Sequence, residues 1–311
     1  MKQRDHGGGL DAAVAQYGGR KEDWIDLSTG INPRPFPIPE LSSADWMALP
    51  DRAAVRRLVT AARSFWKVPD GAEIVPAPGA SALIATIPGL WPASSVTINQ
   101  PTYNEHEFSF RNWGWSLSDA ADSKVVVNPN NPDGRFWNLR DLGKKYSVID
   151  ESFCDMTPRK SLITASTREG VIVLKSFGKF WGLAGLRLGF AICLPELAQT
   201  LRDRLGPWNV SGPALTIGAS ALEDHAWADA TRKSLKEQMT ALDDILKKAG
   251  LQSAGGTDLF RLVSAPDAEQ LKKRLCHSGI LVRTFPYSKT LVRFGLPKDG
   301  QGLDRLRSAV T

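Results

Sequence analysis

Between residues 95 and 193 the chain carries five short apolar runs, SVTINQP, KVVVNPNNP, YSVIDESF, VIVLKSF and LRLGFAIC, and these limit the possible folds more than any other feature. Each is short and mainly apolar, the pattern of strands buried on both faces of a mostly parallel sheet. Upstream, SSADWMALPDRAAVRRLVTAARSFW reads as helical, EIVPAPG begins with a strand, and SALIATIPGLW resumes a helix. Strands alternating with helices predict an α/β core with the sheet between helical layers.

After PWNVSGP the pattern turns helical through ALTIGASALEDHAWADATRKSLKEQMTALDDILKKAG, which ends on a Gly stop. The strand-like runs DLFRLV, ILVRTF and TLVRFGL, with the helical DAEQLKKRLCHSG between them, form a smaller α+β unit. The first forty residues are rich in Gly and Pro, with one possible short strand in WIDLSTG, so they are expected to pack onto another part of the chain. The predicted organisation is an N-terminal segment, 1–44, packing with the small domain; a large domain, 45–215; and a small domain with its connecting helix, 216–311. A length of 311 residues suits two domains.

Several function classes are disfavoured. The 39 Lys and Arg exceed the 33 Asp and Glu by six but occur in short groups such as Lys144-Lys145, without the stripe a nucleic-acid or membrane-surface binder needs. No apolar run reaches the ~18 residues of a membrane span, and MKQRDHGGGLD lacks the apolar core of a secretory signal. Cys154, Cys193 and Cys276, with His6, His106, His225 and His277, are too scattered for a disulfide framework or structural zinc site. A cytoplasmic, metal-free protein is expected.

The strongest local signal is KSFGKFWGLAGLRLGF, residues 175 to 190. Lys179 follows a strand and turn and is surrounded by Gly and aromatic residues, which reduce hydration of an amine and favour its neutral, nucleophilic form. It can be a Schiff-base lysine; the same string is compatible with a solvated loop lysine. VVVNPNNPDG places Asn131 just beyond one strand, and VIDESF places Asp150 at the end of another, where open α/β sheets bind ligands. Alone, Asp150 could be a metal ligand, a helix cap or the partner of a cofactor's ring nitrogen, and Asn131 a turn former.

Taken in order, these residues resemble the fold-type I family of pyridoxal-phosphate enzymes, and the likeness covers most of the chain. It implies a large domain with a mostly parallel mixed sheet between helices, a small α+β domain, and pyridoxal 5'-phosphate as cofactor. By this resemblance Gly79, Ala80 and Ser81 in PAPGASALI would cradle the cofactor phosphate at a helix N-terminus, with Ser176 and Arg187 completing that site. Tyr103 in QPTYNEHE would stack on the pyridine ring, Asn131 would bond its phenolic oxygen, and Asp150 would pair with its protonated nitrogen. Lys179 would carry the covalent link.

Within the family the sequence is most similar to the histidinol-phosphate aminotransferase group, and there to the branch that decarboxylates phosphothreonine for cobalamin assembly. HGGGLDAAVAQYGG, WIDLSTGINPRP, DESFCD and SFGKFWGLAGLRLGF carry this likeness, although HGGG is also compatible with a flexible terminus. Phe153 stands where related aminotransferases commonly have a Tyr hydroxyl, a difference shared with the decarboxylases and equally compatible with apolar packing. The resemblance gives Arg293 in TLVRFG the substrate carboxylate and Arg283 in ILVRTF its phosphate, with His6 and Asn32 approaching from the N-terminal segment. Arg261 in DLFRLV reads as structural or solvated. The implied activity is decarboxylation of a phosphorylated amino acid by a homodimer. A phosphate-accepting aminotransferase is the alternative, and a non-catalytic pathway subunit on the same fold a second.

Overall fold

The computed structural model describes residues 6–310; the charged opening, residues 1–5, lies outside them. By backbone contacts the chain divides into two compact units, one from Pro35 to Asp229 and another joining the residues before Pro35 to those from Ala230 onward. The predicted boundaries at 44/45 and 215/216 differ from this division for physical reasons. The Phe36 N–H bonds the Trp181 carbonyl at 2.9 Å and its ring meets Trp181 and Trp227, which keeps the segment after Pro35 with the first unit.

The elements run as follows. The Gly-rich start forms a helix after all, α1 (Leu10–Tyr17), because Ala13 finds an apolar partner surface on Cys276 and Leu281; β1 (Ile25–Asp26) follows. The stretch predicted as one helix is two, α2 (Ser43–Met47) and α3 (Arg52–Trp66). Pro50 lies in the break, where it cannot donate to a helical ladder, and Asp51 restarts the helix by accepting from the Ala54 N–H at 2.7 Å. Next come β2 (Glu73–Ala77), α4 (Ala80–Thr86), β3 (Ser95–Ile98), α5 (Asn104–Asn112), β4 (Ser116–Leu117), β5 (Ser123–Val127), β6 (Ser147–Asp150), β7 (Val171–Ser176), β8 (Gly189–Cys193) and α6 (Pro195–Leu205). The long helical pattern after PWNVSGP is likewise two helices, α7 (Gly212–Glu223) and α8 (His225–Lys248), separated at Asp224, whose carboxylate caps the Trp227 N–H. Then follow β9 (Gln252–Thr257), β10 (Phe260–Ser264), α9 (Ala268–His277), β11 (Ile280–Leu281), β12 (Arg283–Phe285), β13 (Ser288–Gly295) and α10 (Gly300–Val310).

The first unit is built on a seven-stranded sheet in the order β2-β8-β7-β6-β5-β3-β4. Strands β3 to β7 pair in parallel, and β8 runs antiparallel between β2 and β7. Every residue of β6 and β8 is buried, as expected of strands inside a sheet covered on both faces. Val75, Leu83, Ile87, Val125, Val148 and Ile172 join one apolar core against this sheet. Parallel pairing sets Val127, Asp150 and Leu174 side by side in register, so the loops leaving β5, β6 and β7 emerge at one sheet edge.

The second unit has a four-stranded antiparallel sheet, β12-β13-β10-β9, and a parallel pair of β1 with β11. Arg261 is structural here: its guanidinium forks onto the Asp243 carboxylate at 2.6 and 2.8 Å. Among the described residues no helix is long and apolar enough to cross a membrane.

Candidate active site

The carboxyl ends of the parallel strands surround a cavity of about 120 Å³ in the first unit. Its wall includes Gly79, Ala80 and Ser81 from the turn into α4, and Tyr103 from the loop before α5. Asn131 and Asp150 reach it from the ends of β5 and β6, and Ser176, Lys179 and Arg187 from the end of β7 and the loop beyond. All nine residues predicted for cofactor contact therefore line one space, although they span more than a hundred positions of sequence.

Asp150 is 2% exposed, and its Oδ2 lies 2.9 Å from His106 Nε2. Its Oδ1 accepts from the Ser152 backbone N–H at 3.0 Å and the Ser152 hydroxyl at 2.5 Å. Burial alone would push this carboxyl up, but the His106 and Ser152 contacts outweigh it and hold the group below the usual carboxylate range. A permanently anionic Asp is what a protonated ring nitrogen needs as partner. His106, which contacts Asp150 directly, was missed by the sequence reading. The available signal was its place in TYNEHE, three residues after Tyr103.

Lys179 stands over the Phe153 ring, with Nζ 5.4 Å from its centroid. Phe153 is itself 4% exposed and lines the cavity, so it both packs and forms part of the site. The nearby Lys175 is no rival nucleophile. It is fully buried and donates to Glu151 Oε2 at 2.7 Å; burial would lower its ammonium, but Glu151, Cys154 and Asp155 raise it above its ordinary value.

The other end of the cavity suits an anion. Gly79 has φ +86°, which an L side chain rarely adopts, and a Cβ there would lie 2.7 Å from Arg187 Nη2. The guanidinium thus rests against the bare backbone that opens α4, whose first N–H groups have no acceptor within their own helix. An amine, a buried anionic acid and an anion cradle in one cavity fit an aldehyde on a cationic ring with a phosphate arm. Pyridoxal 5'-phosphate has that chemistry.

The residues predicted for substrate contact all belong to the second unit, and only some of them share a pocket there. His6 and Arg283 line one pocket together with Lys272, Thr284 and Ser28; Asn32 and Arg293 are not part of its wall. Asn32 is buried and accepts from the Arg34 N–H at 2.9 Å. Arg293 donates to the Ser28 carbonyl at 2.7 Å, and burial together with the charge of Arg283 pulls its proton affinity down to about 10, which leaves it charged at neutral pH. The HGGG segment is seated rather than loose: the Gly8 N–H bonds Ser28 Oγ at 2.8 Å, and a Cβ on Gly7 would collide with the Ser28 carbonyl oxygen.

The family model for aminotransferase class I and II matches residues 115–310. The chain is 41% identical to the threonine-phosphate decarboxylase of a Sinorhizobium species, over 98% of this chain and 97% of that protein. It is 37% identical, over the same shares, to the threonine-phosphate decarboxylase of Pseudomonas aeruginosa. Its fold matches the crystal structure of histidinol-phosphate aminotransferase from Sinorhizobium meliloti in complex with pyridoxal-5'-phosphate, with a TM-score of 0.82 at 20% identity, covering 97% of this chain and 93% of that one.

Proposed function

The chain belongs to the aminotransferase class I and II family, and we propose that it is a pyridoxal-phosphate lyase converting L-threonine O-3-phosphate to (R)-1-amino-2-propanol phosphate and carbon dioxide. The observation that carries this reading is the full-length likeness to two threonine-phosphate decarboxylases, joined to a cavity whose amine, acid and anion cradle fit the cofactor.

When bound, pyridoxal 5'-phosphate supplies a conjugated ring that accepts the electron pair released at the substrate α-carbon. Asp150 holds a proton on the ring nitrogen, since its carboxylate is kept ionised by His106 and Ser152. Arg187 and the opening of α4 anchor the phosphate arm. Lys179 would hold the cofactor covalently when no substrate is bound. Its amine, or a water bound to it, then returns the single proton that the α-carbon needs once carbon dioxide has left. To the second unit we assign the substrate's anions: Arg293 takes the carboxylate, and Arg283 takes the phosphate, together with His6 and Asn32. Two separate anchors would fix which bond of the substrate α-carbon is presented for breaking, favouring loss of carbon dioxide over loss of a proton. A homodimer in the cytoplasm, serving cobalamin assembly, belongs to the same reading.

The likeness of fold to histidinol-phosphate aminotransferase favours amino transfer as the second reading. The two are separated by one assay on the same phosphorylated amines. Carbon dioxide should be released from threonine phosphate without any keto acid; keto-acid-dependent amino transfer from histidinol phosphate in its place would overturn the proposal. No turnover in either assay would leave the reading of a non-catalytic subunit.

A further inference from the structure

Five residues after Asp150 lies a second buried acid that the chemistry above does not use. Asp155 is 3% exposed and accepts two indole N–H bonds, at Oδ1 from Trp66 of α3 (2.9 Å) and at Oδ2 from Trp181 (3.0 Å). Trp181 is two residues beyond Lys179. Four residues before Lys179, Lys175 Nζ lies 3.8 Å from Asp155 Oδ1 and bonds Glu151, the residue after Asp150. Glu151 also receives the Leu162 N–H and the Ser161 hydroxyl. The segment that carries Asp150 and Phe153 thus grips, at two points, the segment that carries Lys179.

The form of the grip matters. Trp181 is fully buried and lies in near-parallel stacks with Phe177 (5.1 Å, 12°) and Trp227 (5.5 Å, 13°). Stacking restrains the indole out of its plane but leaves sliding within the plane cheap, because dispersion is non-directional. A hydrogen bond from Nε1 fixes that remaining freedom. The two indole donors meet different oxygens of Asp155, and a carboxamide would present an acceptor to one of them and a donating NH2 to the other.

We propose that Asp155 is a positioning residue: by holding the Trp181 N–H it sets the Lys179 turn against the Asp150 turn, and so sets where the Lys179 amine stands in the cavity. The assignment rests on the reading of Lys179 as the cofactor lysine. It is tested on the holoenzyme with Asp155→Asn, Trp181→Phe and, as control, Trp227→Phe, which loosens the stack and leaves the Asp155 bond in place.

The visible circular-dichroism band of bound cofactor reports its setting independently of turnover. It should change shape or lose intensity in Asp155→Asn and Trp181→Phe, with kcat on threonine phosphate down about tenfold and KM changed less than about twofold. In Trp227→Phe the band and kcat should stay at parent values even where the melting temperature falls. Parent-like band and kcat in Trp181→Phe would reduce Asp155 to core packing, and an equal change in Trp227→Phe would do the same. If Asp155→Asn does not fold, Trp181→Phe decides by itself. A parent protein without a visible band, and without a reducible link at Lys179, would overturn the functional reading and this assignment with it; a normal parent band with unaffected variants overturns this assignment alone.

Discussion

His106 Nε2 and Asp150 Oδ2 stand 2.9 Å apart in a pair buried to about 1% and 3% side-chain exposure. An ionised carboxylate only accepts, so the hydrogen on this bond belongs to His106 Nε2. The pair joins the first turn of α5 to the end of β6 and, with Ser152, holds the Asp150 carboxyl below its usual range against the upward push of burial.

Removing that donor should reverse a pH dependence. Because folding lowers the Asp150 pKa, the unfolded chain binds more protons in the interval between the two values. Asp150 therefore adds stability that is complete above about pH 3.9 and fades as pH falls through the lower folded value. In His106→Leu burial dominates, the folded pKa moves above the unfolded one, and this group's contribution should decline as pH rises through that new interval. Urea unfolding of cofactor-free protein from about pH 2.5 to about pH 7 measures both slopes. Parallel slopes in parent and variant would show that His106 does not set the Asp150 charge.

Borohydride reduction of the holoenzyme followed by peptide mapping should place the cofactor on Lys179. Lys175 should carry none, because its ammonium is buried in the Glu151 ion pair and held charged. Lys179→Ala should keep some cofactor through its phosphate contacts while losing the reducible link and turnover. A label on Lys175 would invert the assignment.

Arg187→Ala should weaken cofactor retention before it affects chemistry. A charge-assisted bond of about 1.5 to 3 kcal/mol corresponds to roughly ten- to 150-fold in cofactor Kd. Gly79→Ala should behave similarly, since its Cβ would displace the guanidinium and the residue would also hold a strained positive φ. Equilibrium dialysis with pyridoxal 5'-phosphate reads both variants, and unaltered binding in Arg187→Ala would remove the phosphate cradle from this end of the cavity.

The two arginines of the second unit should separate by substrate. Arg283→Ala should erase most of the preference for threonine phosphate over threonine, a loss of about tenfold or more in the ratio of kcat/KM values. Arg293→Ala should impair both substrates alike, and its loss of a buried bond to Ser28 should also lower the melting temperature. An unchanged ratio in Arg283→Ala would take that residue out of phosphate recognition.

What the sequence determined by itself was local. Short apolar runs specify strands buried on both faces, Pro and Gly after them specify turns, and parallel pairing then collects the turn residues at one sheet edge; Asn131, Asp150 and Lys179 could be read in this way because each follows its own strand, whereas Gly79, Tyr103 and Arg187 were legible only through the family resemblance. The tertiary structure alone decided what lies behind those residues. His106 meets Asp150 across 44 positions, and Trp66 meets Asp155 across 89. Neither contact follows from a periodicity, because a side-chain hydrogen bond between elements depends on how helices dock on the sheet to within a few tenths of an ångström. The seating of Gly7 and Gly8 on Ser28 was hidden for the same reason: a Gly-rich start reads as loose chain until the surface that excludes a Cβ has been folded against it.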